Sequence, residues 1–250
     1  MIAHSVGVTE ILWAIVPHKN LIAFHQSCTN SSYCILAEQI AKQKNIFSAR
    51  DTEKVIAWRP DLVFTVSYSS PNFVAALRNA GIRTVDLGYF SSLEAIKKQI
   101  LLLGKITGQE ANASDLVKKM NRYQRDLQKI KLCPSFRVLS YSSFRTVAGK
   151  GSTFDELCQI IGLTNLAKRA GIIGFKTVEA EWILKQNPDI IVLSSRRLQQ
   201  QIRHHPLLKE AVKNHRLIYL EPRYLSAISQ FTIAAANRLA FLMAPFCAKK

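Results

Sequence analysis

One stretch occurs twice and limits what this chain can fold into. Glu181–Ser194 reads Glu-Trp-Ile-Leu-Lys-Gln-Asn-Pro-Asp-Ile-Ile-Val-Leu-Ser, and Glu53–Val66 reads Glu-Lys-Val-Ile-Ala-Trp-Arg-Pro-Asp-Leu-Val-Phe-Thr-Val. In each, a Glu is followed seven residues later by Pro-Asp (Pro60-Asp61 and Pro188-Asp189), then by an apolar run rich in β-branched residues. Proline ends a helix because it disfavours helical backbone in the residue before it. Asp supplies turn chemistry. A continuous apolar run suits a strand covered on both faces, as in a parallel sheet. The unit is therefore a short helix, a turn and a buried strand, and two copies imply two similar lobes with a cleft.

The remainder of the chain agrees with a globular α/β protein. At 250 residues, with 48% hydrophobic and 20% charged side chains, it has enough apolar surface for one large core or two small ones. Val8-Thr9-Glu10 opens a first helix with Thr9 as its cap, and Leu21–Phe24 reads as a strand. The polar loop His25–Tyr33 leads into a helix over Ile35–Gln43. Pro71–Ala80 is a helix stopped by Gly81, Thr84–Leu87 a strand and Leu93–Leu103 a helix. Glu110–Lys131 carries Leu116, Met120, Tyr123, Leu127 and Ile130 on one helical stripe. About 20 residues of helix reach about 30 Å, enough for a stiff spine between lobes. The second lobe then reads as strand Val138–Tyr141, loop Ser142–Gly151, helix Phe154–Ile161 capped by Ser152 or Thr153, and the second copy of the unit. Helical Pro206–Lys213, strand Leu217–Leu220 and a terminal helix Ile228–Leu242 complete it. The fold class is α/β: mostly parallel sheets in two lobes, residues 1–108 and 134–250, joined by a backbone helix over 109–133, with the ligand cleft between the lobes.

Net charge is +17. Such a balance is compatible with nucleic acid or an anionic membrane surface as partner. The basic residues are scattered, with modest clusters at Lys118–Lys131 and Arg196–Arg216 and no nucleic-acid-binding motif beside them, so a general basic bias is the reading taken. A basic cytosolic nucleic-acid-associated protein stands as the alternative from another class. The chain opens without a basic segment of secretory type, and Gln230–Ala248, interrupted by Arg238, reads as a buried helix rather than a membrane span. The five Cys form no CxxC pair; Cys158 and Cys247 are candidates for one bridge, with free thiols as the equal alternative.

Gly149-Lys150-Gly151-Ser152-Thr153 resembles part of a phosphate loop, but Phe144 stands where the pattern needs glycine. His204, His205 and His215 lack the spacing of a metal site. His25, Cys28, Tyr33 and Cys34 share one loop and include residue types that ligate a metal or a haem iron, though loop composition explains them as well. Nothing assembles a nucleophile, a base and an orienting group, so no enzyme is read here. Glu53 and Glu181 stand at the amino ends of matched helices, where the dipole favours a carboxylate. Two such acids, one per lobe, suit docking on a partner with two basic residues. Phe47 and Phe175 are a second matched pair, each six residues before its Glu, in stretches read as irregular. Two flat apolar faces suit a large planar ligand.

The ordered set Ser5–Ala14, Glu53–Val63, Leu103–Gly108 with the long helix, Gly149–Leu157, Gly162–Asn165 and Glu181–Val192 resembles the helical-backbone (class III) substrate-binding proteins of ABC importers for cobalamin, haem and ferric siderophores. The resemblance implies a monomeric, periplasmic or otherwise exported binding protein with no catalytic cofactor. Its partners would be a membrane permease and the permease's ATPase, with no nucleic acid. Glu53 and Glu181 match the family glutamates that meet permease arginines. Phe47 and Phe175 fall where the cobalamin-binding member places two aromatic residues, which points to a cobalamin-like corrinoid with Phe144 and Tyr224 as further contacts. Haem-binding members place a ligating Tyr where Ile46, Phe47 and Ser48 stand here. A haem carrier would therefore draw on His25 or Tyr33, and a siderophore carrier on Arg50 and Arg145.

Overall fold

A computed structural model of the protein describes residues 1–129, 136–209 and 216–247. The helix expected over Pro206–Lys213 lies partly outside them, and Cys133 and His215 wholly so. The chain divides into two units: residues 1–90, 94–120 and 227–230 in the first, 91–93, 121–226 and 231–250 in the second.

The first unit is built on strands β1 (Ile2–Ala3), β2 (Ala23–His25), β3 (Ile46–Phe47), β4 (Leu62–Thr65) and β5 (Arg83–Asp86). All pair in parallel, in the order β3-β2-β1-β4-β5. Helices α1 (Val6–Ile15), α2 (Ala37–Ile40), α3 (Thr52–Ala57), α4 (Pro71–Asn79) and α5 (Leu93–Thr107) alternate with them, and α6 (Glu110–Lys129) follows. The residues of α6 count with the first unit to Met120 and with the second from Asn121. Ile2, Ala23, Phe47, Val55, Val63, Phe73, Leu77 and Ile82 form a core cluster, each large side chain contributing about 1.5–3 kcal/mol by leaving water.

The second unit repeats the plan. Strands β6 (Arg137–Tyr141), β8 (Thr164–Asn165), β10 (Ile190–Leu193) and β11 (Arg216–Tyr219) pair in parallel in the order β11-β10-β6-β8. A small antiparallel pair, β7 (Thr146–Ala148) with β9 (Phe175–Thr177), stands beside them. Helices α7 (Thr153–Ile161), α8 (Leu166–Arg169), α9 (Ala180–Gln186), α10 (Arg196–His204), α11 (Pro222–Leu225) and α12 (Thr232–Cys247) complete the unit. Leu139, Ile183, Ile191, Leu193 and Leu198 are central to its core.

The repeated stretch is the expected structure both times: α3 then β4, and α9 then β10. In both copies the residue before proline, Arg59 or Asn187, has left-handed backbone, with φ of 46° and 48°. That conformation ends the helix ahead of the turn.

Several expectations need correction. Ser5, not Thr9, caps α1: its hydroxyl accepts from Val8 N, while the Thr9 hydroxyl donates to the Ser5 carbonyl. Ser152 is the cap of α7. The loop after β6 contains β7, and the segments around Phe47 and Phe175 are short strands rather than irregular. The terminal helix starts at Thr232, because residues 227–230 are held by the first unit. There, Gly7 is required: a Cβ on it would stand 2.6 Å from the Ile228 carbonyl oxygen. Cys158 is a free, buried thiol in this structure, the second of the two alternatives the sequence leaves open. Among the described residues no helix is long and apolar enough to cross a membrane.

Candidate functional site

In an open parallel sheet, ligands gather outside the carboxyl ends of the strands, where strand order reverses and successive loops diverge. In the first unit that point lies between β1 and β4. The residues leaving these strands are His4 and Ser5 after β1, and Val66–Ser70 after β4. His4 N donates to the Phe64 carbonyl at 2.9 Å, continuing the ladder past the strand end. Ser69 Oγ accepts from Val66 N at 3.0 Å and bonds His4 Nδ1 at 3.1 Å. This closes the Val66–Ser69 turn against the imidazole. Tyr68, at the tip of that turn, is 61% exposed. Tyr89, which follows β5, is also exposed. Ser67 N donates to the Gly88 carbonyl at 3.2 Å, so the two tyrosine-bearing turns are tied together.

Beneath this rim the aromatic rings pack on one another. The His4 ring stacks on Phe73 at 4.4 Å and meets His25 edge-on at 5.4 Å. Burial lowers the pKa of His4 to about 4, with the neighbouring His25 adding to the shift. Burial also lowers that of His25, so both imidazoles are neutral at pH 7. His25 Nδ1 accepts from Ser27 N at 3.2 Å. The edge is an uncharged surface of imidazole, phenol and hydroxyl groups, suited to a flat ligand with a polar periphery.

Phe47 lies 5.4 Å from His25, packs also against Trp58, and is 1% exposed. It belongs to the core of the first unit, and its counterpart Phe175 is 68% exposed. The two are therefore not a matched pair of faces. Phe47 ends β3, where alternation turns its ring inward. Phe175 sits in the two-stranded β7–β9 pair, all of whose β9 residues are exposed.

In the second unit the corresponding reversal lies between β6 and β10. The turn after β6 carries Phe144, 83% exposed, and Arg145, left-handed at φ 57°. Ser142 anchors the turn: its hydroxyl and that of Thr146 share a hydrogen bond of 2.6 Å. Arg145 pairs with Glu179 at 2.9 Å, and its carbonyl accepts from Val178 N. Tyr224 is half-buried on α11, with the Arg223 guanidinium 5.2 Å from its ring centre.

Glu53 and Glu181 occupy the first turns of α3 and α9, and both are exposed. Arg50 is exposed ahead of α3. Tyr33 is exposed and His25 half-buried, and no cluster of three or more His, Cys, Asp or Glu able to hold a metal occurs among the described residues. No local sequence pattern singles out Tyr68 and Tyr89. The signal available for Tyr68 is its place in Ser67-Tyr68-Ser69-Ser70, straight after an apolar strand run.

A family model described as periplasmic binding protein matches residues 5–224. The chain is 28% identical over 250 residues to an ABC transporter substrate-binding lipoprotein, YvrC, of Bacillus subtilis (strain 168), covering 93% of this chain and 76% of that one. Among solved structures it is similar to the apo form of a periplasmic haem-binding protein, RhuT, of Roseiflexus sp. RS-1, with TM-score 0.83, 22% identity and coverage of 98% and 97% of the two chains. It is also similar to a periplasmic vitamin B12 binding protein, BtuF, of Vibrio cholerae, with TM-score 0.78, 19% identity and coverage of 100% and 97%. At these identities the solved structures speak to the fold.

Proposed function

The chain belongs to the periplasmic binding protein family, and we propose that its cargo is a planar metal macrocycle, a cobalamin-like corrinoid. As a substrate-binding component of an ABC importer it is not an enzyme, and such components work with a permease and its ATPase. The observation that carries the corrinoid reading is that each unit, taken by itself, exposes aromatic rings: Tyr68 and Tyr89 beyond β4 and β5 in the first, Phe144 after β6 and Phe175 on β9 in the second. A solvent-exposed ring is an apolar face without a partner, and a flat macrocycle gains from stacking on it. In this reading Phe47 stays in the core and stiffens the floor under His4 and His25. Tyr224, Arg145 and Arg50 are polar contacts at the periphery, and Glu53 and Glu181 dock on the permease.

A second reading is haem, with His25, Tyr33 or Tyr68 as iron ligand. It is favoured by the neutral, half-buried His25 imidazole, by exposed phenols on the same unit and by the haem-binding protein among the similar structures. A ferric siderophore is the remaining member of the class. Titration of the purified protein with cyanocobalamin, haemin and a ferric hydroxamate decides among them. Micromolar or tighter binding of cyanocobalamin alone supports the corrinoid. Haemin binding with a Soret band altered by His25→Ala or Tyr33→Phe supports haem. Absence of micromolar binding to all three removes the proposal.

A further inference from the structure

The loop after β2 folds back on itself. Gln26–Thr29 forms one 3-10 turn; then Tyr33 N and Cys34 N both donate to the Asn30 carbonyl, at 2.9 and 3.0 Å. Ser32 N donates to the Asn30 side chain at 2.8 Å, tightening the same turn. The two consecutive turns carry Cys28 and Cys34 inward, and both are 0% exposed. Their sulfurs are within hydrogen-bonding reach of each other, and the Cys34 thiol also reaches the buried Glu10 carboxylate. Both are free thiols in this structure.

We propose that Cys28 and Cys34 are an oxidisable pair that closes into a disulfide in the mature protein, pinning the 25–34 loop on the ligand side of the first unit. Five residues, Thr29–Tyr33, separate the two cysteines, and the consecutive turns direct both thiols into one buried contact, the close approach that a disulfide requires. The inference takes from the proposed function only the exported compartment, where disulfides persist. The oxidant is a small or protein disulfide, R–S–S–R. One cysteine thiolate attacks a sulfur of it and releases RS⁻. The second cysteine thiolate then displaces the remaining RS⁻ from the mixed disulfide. Two electrons pass to the oxidant, the two thiol protons end on the two RSH formed, and one S–S bond joins Cys28 to Cys34.

Burial governs when this happens. Both thiols are 0% exposed, so an oxidant reaches neither while the loop is closed. Oxidation occurs while the 26–34 turn opens or during folding, and the finished bridge is shielded from reductants. The bridge also restrains Tyr33, inside the 28–34 span, and His25, which ends β2 three residues before Cys28.

The test needs no ligand, so its failure and that of the cargo reading are separable. The purified full chain is refolded from denaturant, and separately incubated folded, in oxidised glutathione. It is quenched in acid, alkylated in denaturant and digested with trypsin. Cleavage after Lys19 and Lys42 yields one peptide, Asn20–Lys42, with both cysteines and no other. The expected result is that peptide lighter by two hydrogens and unalkylated, while Cys158, buried and free, alkylates as an internal control. Cleavage after Tyr33 should leave the two halves joined until reduction. The oxidised protein should melt a few degrees above the reduced one, a shift abolished in Cys28→Ser. Two alkylated thiols in Asn20–Lys42 after refolding, or a lasting glutathione adduct on one of them, overturns the proposal, whether or not the Ser variant folds.

Discussion

The Glu10 carboxylate accepts a hydrogen bond from the Ser229 hydroxyl at 2.5 Å, across 219 positions of sequence. Its other oxygen accepts from Ile35 N at 2.9 Å. Burial raises its pKa against the pull of these bonds. Ser229→Ala should destabilise the first unit by about 1–3 kcal/mol, because a buried acceptor loses its donor. Glu10→Ala should cost more. A raised folded pKa means that the folded state holds the Glu10 proton more firmly than the unfolded one. The associated stability is therefore present below the ordinary carboxylate value and is lost as pH rises through the folded value. Glu10→Gln should remove that part of the pH dependence in urea titrations.

His4 has the opposite sign. The unfolded chain protonates it near 6.5, whereas the folded one resists until about 4. Its contribution is complete above 6.5 and is lost as pH falls toward 4, by on the order of 2–3 kcal/mol. His4→Phe should flatten the urea midpoint across this range; an unchanged acid slope would mean that another group carries it.

Arg59 is exposed, with φ 46°. A left-handed residue with a Cβ costs about 1–2 kcal/mol, so Arg59→Gly should raise thermal stability by about 0.5–1 kcal/mol after its own entropy penalty. Asn187→Ala should lower it. A melt showing the reverse order would mean that the side chains, not the backbone, set these positions.

For cargo binding, Tyr68→Ala and Phe175→Ala should each loosen the ligand about tenfold, near 1.4 kcal/mol, by removing a stacking face. Phe47→Ala should instead cost about 3–5 kcal/mol of folding stability. Isothermal titration beside thermal melts separates the two kinds of loss.

Joint replacement of Glu53 and Glu181 by Ala should leave ligand affinity unchanged. In proteoliposomes holding the cognate permease and ATPase, it should reduce transport at least tenfold. A changed ligand affinity would reassign these acids to the cargo.

The architecture was legible because helix–Pro-Asp–strand is a local signal: α3–β4 and α9–β10 need no distant partner to be recognised. What escaped the sequence depends on distant partners. Residues 228–230 read as helix until Glu10 is seen to hold Ser229, with Gln230 Nε2 donating to the Glu10 carbonyl. β7 and β9 are short and pair across α7, β8 and α8, so neither declares itself alone. Phe47 and Phe175 share a spacing but not an environment, because inward or outward direction is set by the sheet each joins. Tyr68 and Tyr89 gain meaning from strand order, which no local pattern states.

The close approach of Gly7 to Ile228 has a consequence for synthesis of the chain. A nascent polypeptide makes β1 and α1 well before the residues that cover Gly7 and satisfy Glu10, since Ser229 follows Glu10 by 219 positions. Until they emerge, a buried acid and the flank of α1 stay open to water. A fragment ending before Ala227 should therefore need a chaperone, or a supplied carboxyl-terminal peptide, to reach the stability of the whole.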